Sequence, residues 1–308
     1  MKRVVITGGT GFVGANLTRR LLRDGHEIHL FVRPQHQAWR IAGIANAIRL
    51  HVLDLQDEVK VAAAIASIQP EWIFHLAAHG AYSWQTDVSE IMRTNIFGTV
   101  NLVEACVRQG FESFVNTGSS SEYGLKDHAP HECEWIDPNS AYAVAKASAT
   151  QYCRYTAINR SQRISTLRLY SVYGPYEEPQ RLIPSLLTQG MQGKLPPLVN
   201  SNIARDYVYV DDVCEAYIRA ATSSNLEAGA VYNVGTGIQT SLAEIVDTVR
   251  QMLNITVEPQ WGTMPQRQWD TNTWVADNSK LTRELGWRAE HSLEAGLKQT
   301  VEHLTSLI

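Results

Sequence analysis

Apolar and polar positions along this chain follow two alternating periods. Arg3-Val4-Val5-Ile6-Thr7 is a short run of β-branched residues, the pattern of a strand buried on both faces. Behind it a helical spacing carries Leu17, Leu21 and Leu22 and stops at Gly25. Further strands are expected at Glu27–Val32, Ala47–Leu53, Trp72–Ala77, Phe111–Thr117 and Ile164–Tyr170. Helices are expected at Asp57–Ser67, Val88–Gln109 and Ser140–Asn159. Such alternation predicts an α/β protein, a parallel sheet with helices on both faces. Beyond Tyr170 the regularity breaks at Gly174-Pro175, Pro179, Pro184 and Pro196-Pro197. A strand at Val231–Val234 then returns to the sheet, and a helix follows at Ser241–Asn254.

The first strand feeds into Gly8-Gly9-Thr10-Gly11-Phe12-Val13-Gly14. Strand, glycine turn, helix and second strand together are the context in which a dinucleotide's pyrophosphate is bound: a tight turn, a close backbone and a helix N-terminus. The sheet is therefore read as a Rossmann doubly wound sheet. Residues 1–170, with a return segment near 205–237, are expected to form the dinucleotide-binding domain, and 171–204 with 238–308 a smaller mixed α/β substrate region. Ligands on such sheets lie at the carboxyl ends of the strands. Gly8–Gly14, Leu76–Gly80 and Thr117–Glu122 fall there. The second strand ends Phe31-Val32-Arg33-Pro34, with no carboxylate for a ribose 2′-hydroxyl and an arginine in reach, and Arg40 follows. This favours NADP, with NAD as the alternative; Arg33 as a plain solvated loop charge is the other reading.

Composition narrows the picture. With 44% hydrophobic and 19% charged residues in 308, the chain has the balance of an ordinary globular protein. A net charge of −4 supplies no basic surface, which argues against nucleic acid. No apolar stretch reaches membrane-spanning length, and Met1-Lys2-Arg3 runs straight into a strand rather than a secretion signal. Cys106, Cys133, Cys153 and Cys214 are scattered, so neither disulfides nor a metal site is expected and a reducing cytoplasm is the expected setting.

Tyr142 and Lys146 stand one helical turn apart in Ser140-Ala141-Tyr142-Ala143-Val144-Ala145-Lys146. A cation beside a phenol favours the phenolate and suits the tyrosine to exchange protons with a sugar hydroxyl. Arg205 and Arg267 offer guanidinium forks for a diphosphate, and each also reads as an ordinary ion-pair partner. The stretch from Arg181 to Pro197 is expected to cover the nucleotide base.

Taken together, Gly8–Gly14, Asp54-Leu55, His75–Ala78, Asn95, Ser119–Gly124, Tyr142–Lys146, Leu169–Pro175, Arg205–Val208 and Ala276–Lys280 resemble the extended short-chain dehydrogenase/reductases that act on nucleotide sugars. The resemblance implies that Asp54 and Leu55 hold the adenine and that Leu76, Ala77, Ala78 and Thr117 line the cofactor. It implies Tyr142 as acid/base, Lys146 on the nicotinamide ribose, and one hydroxyl of Ser119, Ser120 and Ser121 on the reacting sugar oxygen, with Ser120 favoured. Glu122 joins the catalytic set, and Ser119, Ser121, Arg181, Arg205 and Arg267 the substrate set. Read as one residue short before Tyr123-Gly124, the serine loop looks most like that of GDP-4-keto-6-deoxymannose reductases, and the tail is similar to CDP-abequose synthases. The leading expectation is NADPH-dependent reduction of a nucleotide-linked 4-ketohexose; the alternatives are a 4-epimerase or 4,6-dehydratase without net cofactor turnover, and a non-catalytic NADP sensor. A homodimer through the Val88–Gln109 and Ser140–Asn159 helices is implied, with Val100, Val103, Val107, Ala145 and Ala149 as its apolar face.

Overall fold

The computed structural model describes residues 1–265 and 271–307. Its strands are β1 (Arg3–Thr7), β2 (Glu27–Val32), β3 (Arg49–Val52), β4 (Trp72–His75), β5 (Ser113–Ser119), β6 (Ile164–Leu169), β7 (Ser171–Tyr173), β8 (Ala204–Arg205), β9 (Tyr207–Tyr209), β10 (Val231–Val234) and β11 (Thr240–Ser241). Seven of them form one sheet in the order β10-β6-β5-β4-β1-β2-β3, every pair parallel. The helices are α1 (Phe12–Arg23), α2 (Glu58–Ile68), α3 (Val88–Met92), α4 (Gly98–Gln109), α5 (Ala141–Asn159), α6 (Leu182–Gly190), α7 (Val210–Thr222), α8 (Leu242–Leu253), α9 (Ser279–Leu285) and α10 (Leu293–Thr305).

The period of two along each strand sorts its side chains between two cores. Val4 and Ile6 of β1, with Leu30, Val32 and Phe74, pack against Leu17 and Leu21 of α1 and Val213 and Tyr217 of α7. Val5, Phe31, Ile73 and Phe114 point the other way, onto Val61 and Ile65 of α2, Leu102 of α4 and Cys153 of α5. Burial on both faces is why these strands read as unbroken apolar runs. A third core joins α6, α8, α10 and the short strands through Leu186, Ile245, Val249, Tyr209 and Leu297.

The chain order of the strands reverses between β1 and β4, which opens a crevice at their carboxyl ends. The helix expected over Val88–Gln109 is interrupted by a π-helical turn at Arg93–Phe97. The extra residue turns Asn95 inward, where it is 1% exposed and grips the loop after β4. The apolar face expected to join two copies is largely spent within one chain: Val103, Ala145 and Ala149 are buried. The exposed large apolar side chains on these helices are Val88, Phe97, Val144, Tyr155 and Ile158. Among the described residues no helix is long and apolar enough to cross a membrane.

Candidate active site

Gly8 closes β1 with a φ of +72°, and a Cβ there would stand 2.6 Å from the backbone of Leu76 and Ala77. Only glycine lets the two strand ends approach this closely. A Cβ on Gly14 would overlap the Gly8 carbonyl, so α1 and β1 pack backbone to backbone. Gly11 donates its N–H to the Gly8 carbonyl at 2.9 Å and starts α1. No side chain caps α1 and its first turn carries no acid, so the N–H groups beyond Thr10, at Phe12 and Val13, are left for an anion. This cradle fits the pyrophosphate of a dinucleotide.

The neighbouring loop is pinned by a chain of buried polar groups. Thr7 Oγ1 lies 2.6 Å from His75 Nδ1 and accepts from the Ala77 N–H at 3.2 Å. His75 Nε2 lies 2.8 Å from Thr99 Oγ1. Asn95 accepts from the His79 N–H at 2.9 Å and donates to its carbonyl at 2.7 Å, fixing the stretch through Leu76, Ala77 and Ala78. Burial, with the Lys146 charge second, pushes the His75 imidazole down to about 3, so this histidine is neutral and structural.

At the adenosine end, Asp54 accepts the Gln56 N–H at 2.9 Å and the buried Leu55 accepts Asn101 Nδ2 at 2.8 Å. Arg33 is more than half exposed, with Nη1 3.8 Å from Glu90 Oε1. Arg40 is withdrawn from this edge: it is buried, donating to the Tyr176 carbonyl at 2.7 Å and pairing with Glu178 at 3.0 Å.

Tyr142 and Lys146 project from the first turns of α5, which Ser140 caps by accepting the Ala143 N–H at 3.1 Å. Burial pushes the Tyr142 phenol up to about 12; the nearby Ser119 hydroxyl opposes this, and the charges that move it most are those of Glu122, Arg181 and Tyr82. Among the cations, Arg181 acts most on the phenol. Lys146 is buried, its ammonium lowered by desolvation, and its charge reaches His75 at the end of β4. That places it toward the crevice in which a nicotinamide ribose would lie.

The three serines part company. β5 runs on to Ser119, which shares a face with Thr117 by the strand's period of two. Thr117 Oγ1 is 2.5 Å from the buried Tyr217 hydroxyl, and Ser119 faces Tyr142, its Oγ also 2.8 Å from Ser121 Oγ. Ser120, the serine favoured from the sequence, has turned away: it is 7% exposed and accepts the Trp274 indole N–H at 3.1 Å. Glu122, also expected among the catalytic groups, is 0% exposed and fully engaged. Its Oε1 accepts from the Ser119 N–H and Thr150 Oγ1, each at 2.9 Å, and its Oε2 pairs with Arg168 at 2.8 Å. Arg168, itself 2% exposed, donates to Tyr123 Oη at 2.8 Å, and that hydroxyl donates to Asn233 at 2.8 Å. The carboxylate therefore holds the serine turn rather than facing the crevice.

On the substrate side, Arg181 opens α6, half exposed and 3.7 Å from Glu177. Arg205 donates to the Ala204 and Thr271 carbonyls at 2.7 and 3.1 Å and lies 5.4 Å from the Trp274 ring. Its neighbour Asp206 accepts four donors, from Thr236, Gly237 and Ala276, and ties the return strand to the C-terminal segment. Arg267 lies outside the described residues. Sequence reasoning missed Arg168, Trp274, Tyr217 and Glu177, whose partners stand 46, 154, 100 and 4 positions away respectively.

A glycine cradle at a sheet switch point, with Ser119, Tyr142 and Lys146 near the strand ends, is the arrangement of a dinucleotide-dependent α/β enzyme. Its sequence matches the model of the NAD dependent epimerase/dehydratase family over residues 4–235, and the chain belongs to that family. It is 30% identical to the UDP-glucose 4-epimerase of Mycolicibacterium smegmatis over 97% of each chain. It is 28% identical to the dTDP-glucose 4,6-dehydratase of Streptomyces griseus, over 97% of this chain and 92% of that one. The solved Thermus thermophilus UDP-glucose 4-epimerase in complex with NAD superposes with a TM-score of 0.88 at 27% identity, covering 99% of this chain and all of that one.

Proposed function

We propose that the protein is an NAD-linked 4-epimerase of a nucleotide-diphosphate hexose. The observation that carries this reading is that Glu122 is consumed by Arg168, Thr150 and the Ser119 N–H, in a turn that leaves the Ser119 hydroxyl on the Tyr142 side. Dehydration needs an acid and a base to eliminate water beside the carbonyl, and the serine loop offers neither from a free carboxylate. Ser119 and Tyr142 instead converge on one point, where a single sugar oxygen would accept both hydroxyls or surrender its proton to the tyrosine. When bound, a nicotinamide ring supplies the acceptor and donor for the hydrogen on the sugar carbon. Lys146 would orient its ribose, the uncapped N-terminus of α1 its pyrophosphate, and Asp54 with Leu55 its adenosine. Ser121 adjoins the sugar site, Arg205 with Arg181 the diphosphate. Each epimer would be reached without net consumption of cofactor, because the sugar carbon that gives up a hydride takes it back on its other face while Tyr142 returns the proton to the oxygen.

A second reading rests on Arg33, which meets no carboxylate on its own strand and is largely solvated. Such a guanidinium suits a 2′-phosphate and would make the enzyme an NADPH-dependent reductase of a nucleotide-linked 4-ketohexose. Glu90 at 3.8 Å weighs against it, since a carboxylate there repels a phosphate. We also place the enzyme in the cytoplasm as a homodimer. The deciding experiment incubates purified protein with UDP- and dTDP-linked hexoses and follows both sugar products and nicotinamide absorbance. Epimer interconversion with constant absorbance is expected. Stoichiometric loss of NADPH with a 4-keto sugar would move the assignment to the reductase.

A further inference from the structure

After β7 the chain makes a forced turn from Gly174 to Glu178. Tyr176 has a φ of +68°, a left-handed backbone that bulky side chains avoid. It is held there from several sides. Its carbonyl accepts from Arg40 Nε at 2.7 Å, and its ring lies 3.9 Å from the Arg19 guanidinium and 4.4 Å from His303. Asn16 of α1 clamps the preceding Pro175 carbonyl at 2.8 Å. Strain over-determined in this way is characteristic of segments that aim a neighbouring group.

The neighbour is Glu177. Its side chain is 7% exposed, and its Oε2 is buried with no hydrogen-bond partner among the described residues. Four side chains from four separate segments surround it electrostatically: Arg181 at the start of α6, Arg40, Tyr207 of β9 and Tyr82 of the loop after β4. Arg40 is already paired with Glu178, and Arg181 approaches Glu177 only to 3.7 Å. The Arg181 charge also acts on Tyr142, so Glu177 belongs to the same cleft as the proton-transfer group. Burial pushes the Glu177 carboxyl up to about 8, which keeps it protonated at neutral pH.

A neutral carboxyl has one proton to donate and lone pairs to accept with, and an unmet buried atom invites a partner of the same kind. A sugar hydroxyl is that partner. A sugar carboxylate is not: it can only accept, so it has no proton for the unmet Oε2, and its own charge would be taken out of water there. We propose that Glu177 is a specificity-determining residue at the sugar end of the cleft, hydrogen-bonding a hexose hydroxyl and selecting against a hexuronate. This rests on the nucleotide-sugar reading given above.

The test compares wild type, Glu177→Gln and Glu177→Ala with UDP, UDP-glucose and UDP-glucuronic acid, and with the dTDP-linked hexose, in the presence of NAD. UDP alone should bind all three proteins equally, which controls for folding and for the nucleotide end. Wild type should prefer the hexose. Glu177→Ala should raise the hexose KM about tenfold, the loss of one hydrogen bond, with kcat changed much less. The hexose-to-hexuronate ratio should narrow. In wild type the hexose KM should climb as pH passes 8, and Glu177→Gln should abolish that climb. Equal UDP affinity with an unchanged sugar ratio and unchanged pH profile in both variants would overturn the proposal. If wild type turns over none of the nucleotide sugars, the proposed function itself fails, and this inference with it.

Discussion

Replacing Ser119 by alanine removes a hydroxyl on the Tyr142 side of the turn, whereas replacing Ser120 removes one bonded to the Trp274 indole. The two substitutions are chemically identical and one residue apart, so their difference isolates the geometry. A positioned donor to a carbonyl oxygen that gains charge in the transition state contributes about 10²–10³ in kcat, or about 3–4 kcal/mol. Ser120→Ala forfeits a neutral hydrogen bond with a net value of about 1 kcal/mol, and reaches the chemistry only through Trp274. At about 1.4 kcal/mol per tenfold, Ser119→Ala should be slower than Ser120→Ala by at least about thirtyfold. Ser119 also caps the turn that follows it, accepting the Ser121 N–H at 3.2 Å, so the alanine should lose about 1 kcal/mol of stability as well. Ser119→Thr, which keeps the hydroxyl and the cap, should recover most of the rate. The assay is chromatographic separation of the two sugar epimers at saturating substrate, with thermal unfolding of each variant as the control. If Ser120→Ala is the slower enzyme, or Ser119→Ala stays within threefold of wild type, the assignment of Ser119 to the sugar oxygen is wrong.

Tyr142→Phe should cut kcat by about 10²–10⁴ while titration calorimetry finds NAD affinity unchanged, since the phenol's part is the proton; weakened NAD binding of the same size would place the tyrosine in the cofactor site instead. Glu122→Gln strands the Arg168 guanidinium in a site where both partners are at most 2% exposed, and should cost about 3–5 kcal/mol in denaturant unfolding; a stability within 1 kcal/mol of wild type would refute the buried pair. His75 is held neutral, from an ordinary value of 6.5 down to about 3, so the unfolded chain takes up its proton first as pH falls. Its contribution is complete above about pH 6.5 and is lost progressively toward pH 3, up to about 5 kcal/mol. His75→Gln should flatten that part of the stability–pH curve, and parallel curves would show that the imidazole is solvated.

Features encoded within a few residues were legible in the sequence, and features made by tertiary contact were not. The glycine turn could be read because a strand, three glycines and a helix are contiguous, and each glycine answers a local need such as the approach of Gly8 to Leu76. Strands such as β1 could be read because burial on both faces makes them short runs of β-branched apolar residues. The reacting serine turned on two residues of strand. Ending β5 at Thr117 and treating the loop as short favoured Ser120 over Ser119 and Ser121. Extending the strand to Ser119 settles the matter by its period alone, since Thr117 and Ser119 share a face while a Cβ on the intervening Gly118 would press on Glu122 and Arg168. Glu122 itself could not be read correctly from its neighbours. A carboxylate beside a serine loop is equally an acid or an anchor, and only Arg168, on the adjacent strand, decides between them. Lys146 shows the same limit from the other side. Helical spacing stacks its Cα over that of Tyr142, but Lys146 is buried and its charge acts on His75 of β4, while Arg181, from the other half of the chain, acts on the phenol. The proton-transfer centre is therefore built jointly by both halves, so substitutions at the mouth of the substrate region should alter the pH dependence of catalysis as well as substrate affinity.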